Sequence, residues 1–184
     1  MIDTEANWGK TVSLLQEIKR KGISNLIEYL EVSDYFMAPA STKYHGAYEG
    51  GLCEHSLNVT EMFSKRNKIL EKPILEESVI LCGLLHDACK IGFYTKVANK
   101  YKADLEHPAQ NSHARLSLEV IERYIKLIPV ERDIILYHMG LFGCYGKCIE
   151  YTPLDLHRAV AENPTVQIFA SCDSEEAHRK IKEY

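Results

Sequence analysis

The chain has 184 residues, 46% of them hydrophobic, and a formal charge of −4 from 22 Lys+Arg against 26 Asp+Glu. That length suits one domain with enough apolar content for a core, and the acidic balance lacks the basic face that a long nucleic-acid duplex requires. No apolar stretch approaches the roughly 20 residues of a membrane span. Residues Met1–Lys10 lack the basic start and apolar block of a secretion signal. Six cysteines, Cys53, Cys82, Cys89, Cys144, Cys148 and Cys172, form no tight pair, so a reducing, cytoplasmic setting is expected.

In chain order, Val12, Leu14, Leu15 and Ile18, then Ile23, Leu26, Ile27 and Leu30, recur at helical spacing across Thr11–Tyr29, with Gly22 as the break. Phe36 to Lys43 reads as a loop, because Pro39 forces its neighbour out of helical conformation. Gly50-Gly51 punctuates the entry to a helix over Leu52–Leu70, on which His55 shares a face with Val59, Met62 and Phe63. Pro73 opens the next helix. Its apolar run, Ser78 to Leu85, leads into His86-Asp87-Ala88-Cys89-Lys90 and is expected to stop at Gly92, since glycine tolerates the left-handed C-terminal position.

Phe93–Ala103 suggests one short hairpin. Asn111-Ser112 offers a cap for a helix over His113–Leu127, with Leu116, Leu118, Val120, Ile121, Tyr124 and Ile125 on its apolar face. Pro129 starts a helix that reaches His138 and stops at Gly140. A glycine- and cysteine-bearing loop, Gly140–Thr152, follows and is placed to lie over a site. Cys144 and Cys148 have no second pair to complete a zinc site and read as free thiols. Leu154–Ala161 and Thr165–Lys182 are the last two helices. The count is seven to nine helices with at most one hairpin, an all-α domain.

His55, His86, Asp87, His113, His138 and Asp173 thus fall on five helices, each at or near an end of an apolar run. Charged groups are rarely fully buried unless paired or bound to metal, and imidazole and carboxylate ligands from separate helices are how bundles build metal sites. Such a donor set suits Mn, Fe, Co, Ni or Zn, with Mg less favoured because it prefers oxygen. Histidines 107, 157 and 178 read as surface or loop residues.

The ordered set His55, then His86-Asp87 with Lys90, then Asp173 resembles the H…HD…D signature of the HD-domain metal-dependent phosphohydrolases. The additional His113 and His138 are similar to the pair found in members that bind two metals. The flanks Tyr44-His45-Gly46-Ala47-Tyr48-Glu49-Gly50-Gly51-Leu52-Cys53-Glu54-His55-Ser56, Leu84-Leu85-His86-Asp87 and Tyr137-His138-Met139-Gly140 are similar to blocks in the bacterial 3′-to-5′ exoribonucleases of the YhaM type and their stand-alone relatives. The resemblance covers residues 36–177, preceded by a helical segment over 1–35, within a single HD-type helical bundle.

The resemblance implies that His55, His86, Asp87 and Asp173 hold a first divalent ion, and that Asp87 bridges to a second held by His113 and His138. Two ions about 4 Å apart activate a shared water and clamp phosphoryl oxygens in such enzymes. Asp87 and Lys90 are the catalytic candidates. Lys43, His45, Lys90 and Arg115 are the candidates for contacting substrate. Lys90, placed one turn beyond His86 on one helix face, is either a phosphate contact or a helix-terminal lysine favoured by the dipole. Arg115 either faces the cleft or is solvated.

The block before His55 carries fewer histidines than in the exoribonucleases, and Ser112-His113-Ala114-Arg115 replaces a more glycine-rich version. Both departures bear on substrate more than on metal. The expected activity is hydrolysis of a phosphate ester in a nucleotide or short oligonucleotide. The alternatives are a 3′-to-5′ exonuclease on short single strands, and a module that senses metal or nucleotide without turnover.

Overall fold

The computed structural model describes residues 3–98, 100–145 and 149–179. Cys148, paired with Cys144 above, and Lys182, the expected end of the last helix, lie outside them.

Helix α1 (Thr4–Gln16) starts well before Thr11 because Asp3 caps it, its carboxylate accepting the Ala6 amide at 2.9 Å. Helix α2 (Ile23–Val32) follows the break at Gly22. Helix α3 (Gly51–Asn67) is entered through Gly50, whose φ of +79° strains any residue with a side chain. Helix α4 (Glu76–Leu85) starts after Pro73, not at it: the Asn67 side chain bonds both the amide and the carbonyl of Ile74, holding the approach extended.

Every residue of α4 from Ser78 to Leu85 is buried, which explains an apolar run with no polar face. Its neighbours include α3 and α6, and α8 packs against the same two. The close approach of α3 and α4 depends on Gly83, since a Cβ there would sit 2.3 Å from Thr60 Oγ1 and 2.7 Å from its Cα.

Helix α4 does not run to Gly92. It ends at Leu85, and Ala88–Lys90 forms a separate 3-10 turn. The buried Tyr35 hydroxyl donates to the Leu84 carbonyl at 2.6 Å and satisfies one of the helix-end acceptors. Lys90 is therefore not one turn beyond His86 on a continuous helix face.

Strands β1 (Tyr94–Val97) and β2 (Lys100–Ala103) pair antiparallel, Tyr94 opposite Ala103, as the hairpin reading expected. Helix α5 (His113–Glu122) stops before Leu127. Ser112 sits at its N-cap but makes no capping bond. The work falls to Glu150, whose carboxylate accepts the Ala114 amide at 2.8 and 2.9 Å and the Arg115 amide at 3.1 Å. Helix α6 (Pro129–Leu136) ends just short of His138, and a 3-10 turn, Gly140–Cys144, breaks up the loop expected after it. Helices α7 (Pro153–Glu162) and α8 (Thr165–Arg179) complete an all-α bundle, with one small hairpin among the described residues.

A partly buried ion network ties the α1–α2 link to the core. Arg20 reaches Glu131 of α6 at 2.6 and 2.7 Å and Glu77 of α4 at 2.8 and 3.0 Å. Glu131 is fully buried and also accepts from Ser78 Oγ and the Ile128 amide. Among the described residues no helix is long and apolar enough to cross a membrane.

Candidate metal centre

Helix α8 shows how a core face turns into a site. Phe169, Asp173 and Glu176 lie three or four residues apart and share one face. Phe169 packs edge-on against Phe63 of α3, its ring centroid 5.0 Å away, and against the ring of His86 at 5.4 Å. One turn further on, Asp173 Oδ1 lies 3.0 Å from His55 Nε2 and 3.6 Å from His86 Nε2. Those two ring nitrogens are 3.3 Å apart. The side chains of residues 55, 86 and 173 therefore converge as expected.

Asp87 lies between two sets of imidazoles. Its Oδ2 is 3.8 Å from His55 Nε2 and 3.6 Å from His86 Nε2, while its Oδ1 is 2.7 Å from His113 Nε2 and 3.7 Å from His138 Nε2. Lys90, also buried, places its Nζ 2.6 Å from Oδ2. His55, His86 and Asp87 form one group whose ligand atoms could hold an ion, and Asp87, Cys89 and His113 form another.

Three of the imidazoles are fixed from behind by oxygen. His55 Nδ1 is 2.5 Å from Glu176 Oε2, His86 Nδ1 is 3.0 Å from the Gly83 carbonyl, and His138 Nδ1 is 2.6 Å from the Ile135 carbonyl. Each partner holds the ring with Nε2 facing inward, the usual support for a metal-binding histidine. His138 Nε2 is buried and has no hydrogen-bond partner among the described residues. An orphaned nitrogen 3.7 Å from a carboxylate oxygen is costly unless something electrophilic fills the gap, so the donor set fits a cation.

The electrostatics agree. Burial alone would raise the pKa of Asp87, yet Lys90, His86 and His113 hold it well below the carboxylate range. Asp173 is likewise held low against burial by its bonds to His55 and His86. Burial opposes charge on His55, but Asp173 and Glu176 outweigh it and lift the pKa to about 9. Burial, then the nearby His86 and His113, push His138 down to about 3, which keeps it neutral.

A cavity of about 570 Å³ opens over Asp87, His113, His138 and Asp173. His45, Lys90, Tyr44, Tyr94, Met139 and Phe142 are among its other walls. Burial and then Lys90 lower the His45 pKa to about 4, so this ring is neutral near pH 7. His178, read as a surface residue, is exposed but also lines the cavity mouth.

Two expected substrate contacts do not reach this cavity. Lys43 is exposed, with its ammonium 5.0 Å over the Tyr44 ring. Arg115 is exposed and is not among the cavity walls, and its guanidinium donates to the Glu150 carbonyl at 3.0 Å. Conversely, the sequence reading passed over Glu176, Cys89 and the aromatic walls. Glu176 had one available signal, its position three residues after Asp173 on the same helix face.

The chain matches the HD domain family over residues 52–177, and on that match it belongs to the family. The metal-dependent HD phosphohydrolases that its motifs resemble are thus its superfamily, and HD domains bind divalent metals. The chain is also similar to the dihydroneopterin 2′,3′-cyclic phosphate phosphodiesterase of Methanocaldococcus jannaschii. The two are 34% identical over 108 residues, which make up 56% of this chain and 42% of that relative. The chain therefore covers less than half of the relative's length. No solved structure gives a significant match.

Proposed function

We propose that this protein is a metal-dependent phosphohydrolase that cleaves a phosphodiester of a small, nucleotide-like molecule. The observation that carries the reading is the division of Asp87: one oxygen faces His55 and His86, and the other faces His113 and His138. A carboxylate so placed suits a bridge between two cation positions. His55, His86, Asp87 and Asp173 would hold one ion, and Asp87, His113 and His138 the other. The imidazole-rich set favours Mn, Fe, Co, Ni or Zn over Mg. When bound, such ions supply Lewis acidity toward phosphoryl oxygens and a water of lowered pKa.

The remaining chemistry belongs to the chain. Lys90 pins Asp87 Oδ2 and lines the cavity, so its ammonium can neutralise a phosphoryl oxygen. Neutral His45 can donate a hydrogen bond to an ester oxygen without adding charge. Tyr44, Tyr94 and Phe142 offer ring faces to a planar leaving group and help to exclude water. The similarity to a cyclic phosphate phosphodiesterase supports a small diester as substrate. We place the activity in the cytoplasm, in keeping with the unpaired cysteines.

The test is hydrolysis of bis-p-nitrophenyl phosphate and nucleoside 2′,3′-cyclic phosphates with added Mn²⁺. Turnover that disappears in Asp87→Ala supports the proposal. Folded, metal-loaded protein that turns over no mono- or diester would make it a sensing module, and stepwise 3′ shortening of a labelled oligonucleotide would make it an exonuclease.

A further inference from the structure

Four imidazoles ring the centre, and the fourth is supported differently. His86 and His138 each bond the carbonyl three residues earlier, a contact that a helix-end histidine finds in its own last turn. His113 is the first residue of α5, so no turn of its own helix precedes it. His55, near the start of its helix, draws a carboxylate from α8. His113 instead presents Nδ1 to Cys89 Sγ at 3.2 Å, while its Nε2 lies 2.7 Å from Asp87 Oδ1.

The sulfur is held in place from two directions. The 3-10 turn fixes Cys89 two residues beyond Asp87, and its amide donates at 3.1 Å to Ser117 Oγ, one turn along α5 from His113. Cys89 is 1% exposed and does not line the cavity, so it is out of reach of a substrate. Sγ is closer to Nδ1 than to Nε2, from which it is 3.8 Å. That geometry suits a partner behind the ring better than a ligand beside it.

We propose that Cys89 is a positioning residue for the second cation: its sulfur accepts the Nδ1 hydrogen of His113, so that Nε2, which shares a proton with Asp87 Oδ1 at 2.7 Å, is the nitrogen that would turn its lone pair to an ion replacing that proton. This inference rests on the metal-centre reading of the cluster. A thioether or thiol sulfur is a weak acceptor, so the His113 side of the centre is held more loosely than the His55 side.

The test is titration of the metal-free full chain with Co²⁺, following the visible spectrum and the bound metal, for wild type, Cys89→Ala and Cys89→Ser. The expected result is two equivalents bound by wild type with no sulfur-to-cobalt charge-transfer band. Cys89→Ala should lose about 10–100-fold in affinity for the second equivalent only, and Cys89→Ser, which keeps an acceptor, should recover most of it. A charge-transfer band in wild type would make the sulfur a ligand and overturn the proposal, as would unchanged second-site affinity in Cys89→Ala. Wild type that binds no metal would instead sink the metal-centre reading itself. Should Cys89→Ala fail to fold, long-range proton–nitrogen NMR of Zn²⁺-loaded wild type decides: a proton on Nδ1 of His113 supports the assignment, and one on Nε2 overturns it.

Discussion

At the scale of single residues, the centre is a set of negative and neutral donors held together by protons. With no ion present, His55 carries charge at neutral pH because its pKa stands near 9. An incoming cation must displace that proton, so uptake at pH 7 should release protons, and apparent affinity should rise with pH until about 9. Calorimetry of Mn²⁺ binding in buffers of different ionisation enthalpy checks this; an enthalpy independent of buffer would contradict it. Glu176→Gln removes the carboxylate behind His55, and metal affinity should fall about 10–100-fold while the fold stays intact. Equilibrium dialysis measures that loss. The six inward-facing His and Asp residues were legible because such side chains end apolar helical runs, where burial is otherwise costly. Glu176 was one of 26 acidic residues and Cys89 one of six cysteines, and only their spatial neighbours single them out. Lys43 and Arg115 lie outside the cavity walls, because a positive charge near a motif says nothing about which way a long side chain turns.

At the scale of elements, helix existence followed from apolar spacing, whereas the ends were set by side chains reaching the backbone. Asp3 lengthens α1, Asn67 delays α4, and Glu150, remote in sequence, caps α5 in place of Ser112. Periodicity carries no trace of such contacts. Gly83 sets the crossing of α3 and α4, and its carbonyl also steers His86. Gly83→Ala should therefore destabilise the chain by about 1–3 kcal/mol through overpacking and lower metal affinity as well. Urea unfolding with a parallel metal titration would show both effects. The Arg20–Glu131–Glu77 network gives a third handle. Glu131 has a depressed pKa, because Arg20, Ser78 and the Ile128 amide together outweigh burial. Its contribution to stability is present above the ordinary glutamate value and is lost as pH falls through the lowered one. Arg20→Ala leaves this buried carboxylate without its cation and should cost about 3–5 kcal/mol near pH 7. The deficit should shrink in acid, where the carboxyl can protonate. Denaturation curves at pH 7 and pH 4 give the comparison, and a deficit that grows in acid would refute the account.

At the scale of the whole molecule, the centre joins α3, α4, α5, α6 and α8, so a bound ion links nearly every packed layer of the bundle. Ligands that bind only the folded state stabilise it by mass action, about 2.7 kcal/mol when present at 100 times Kd. Chelation should thus lower Tm by about 5–10 °C for a chain of this size, and restoring Mn²⁺ should reverse the change in differential scanning calorimetry. The joining is also strongly non-local, for His55 and its supporting Glu176 are 121 residues apart. A ribosome making this chain exposes α3 through α6 well before Asp173 and Glu176 emerge. Until then His55 has neither of its carboxylate neighbours on α8, and the growing polypeptide offers a stray ion only an incomplete nest. Capture of the metal should therefore wait until α8 has left the exit tunnel.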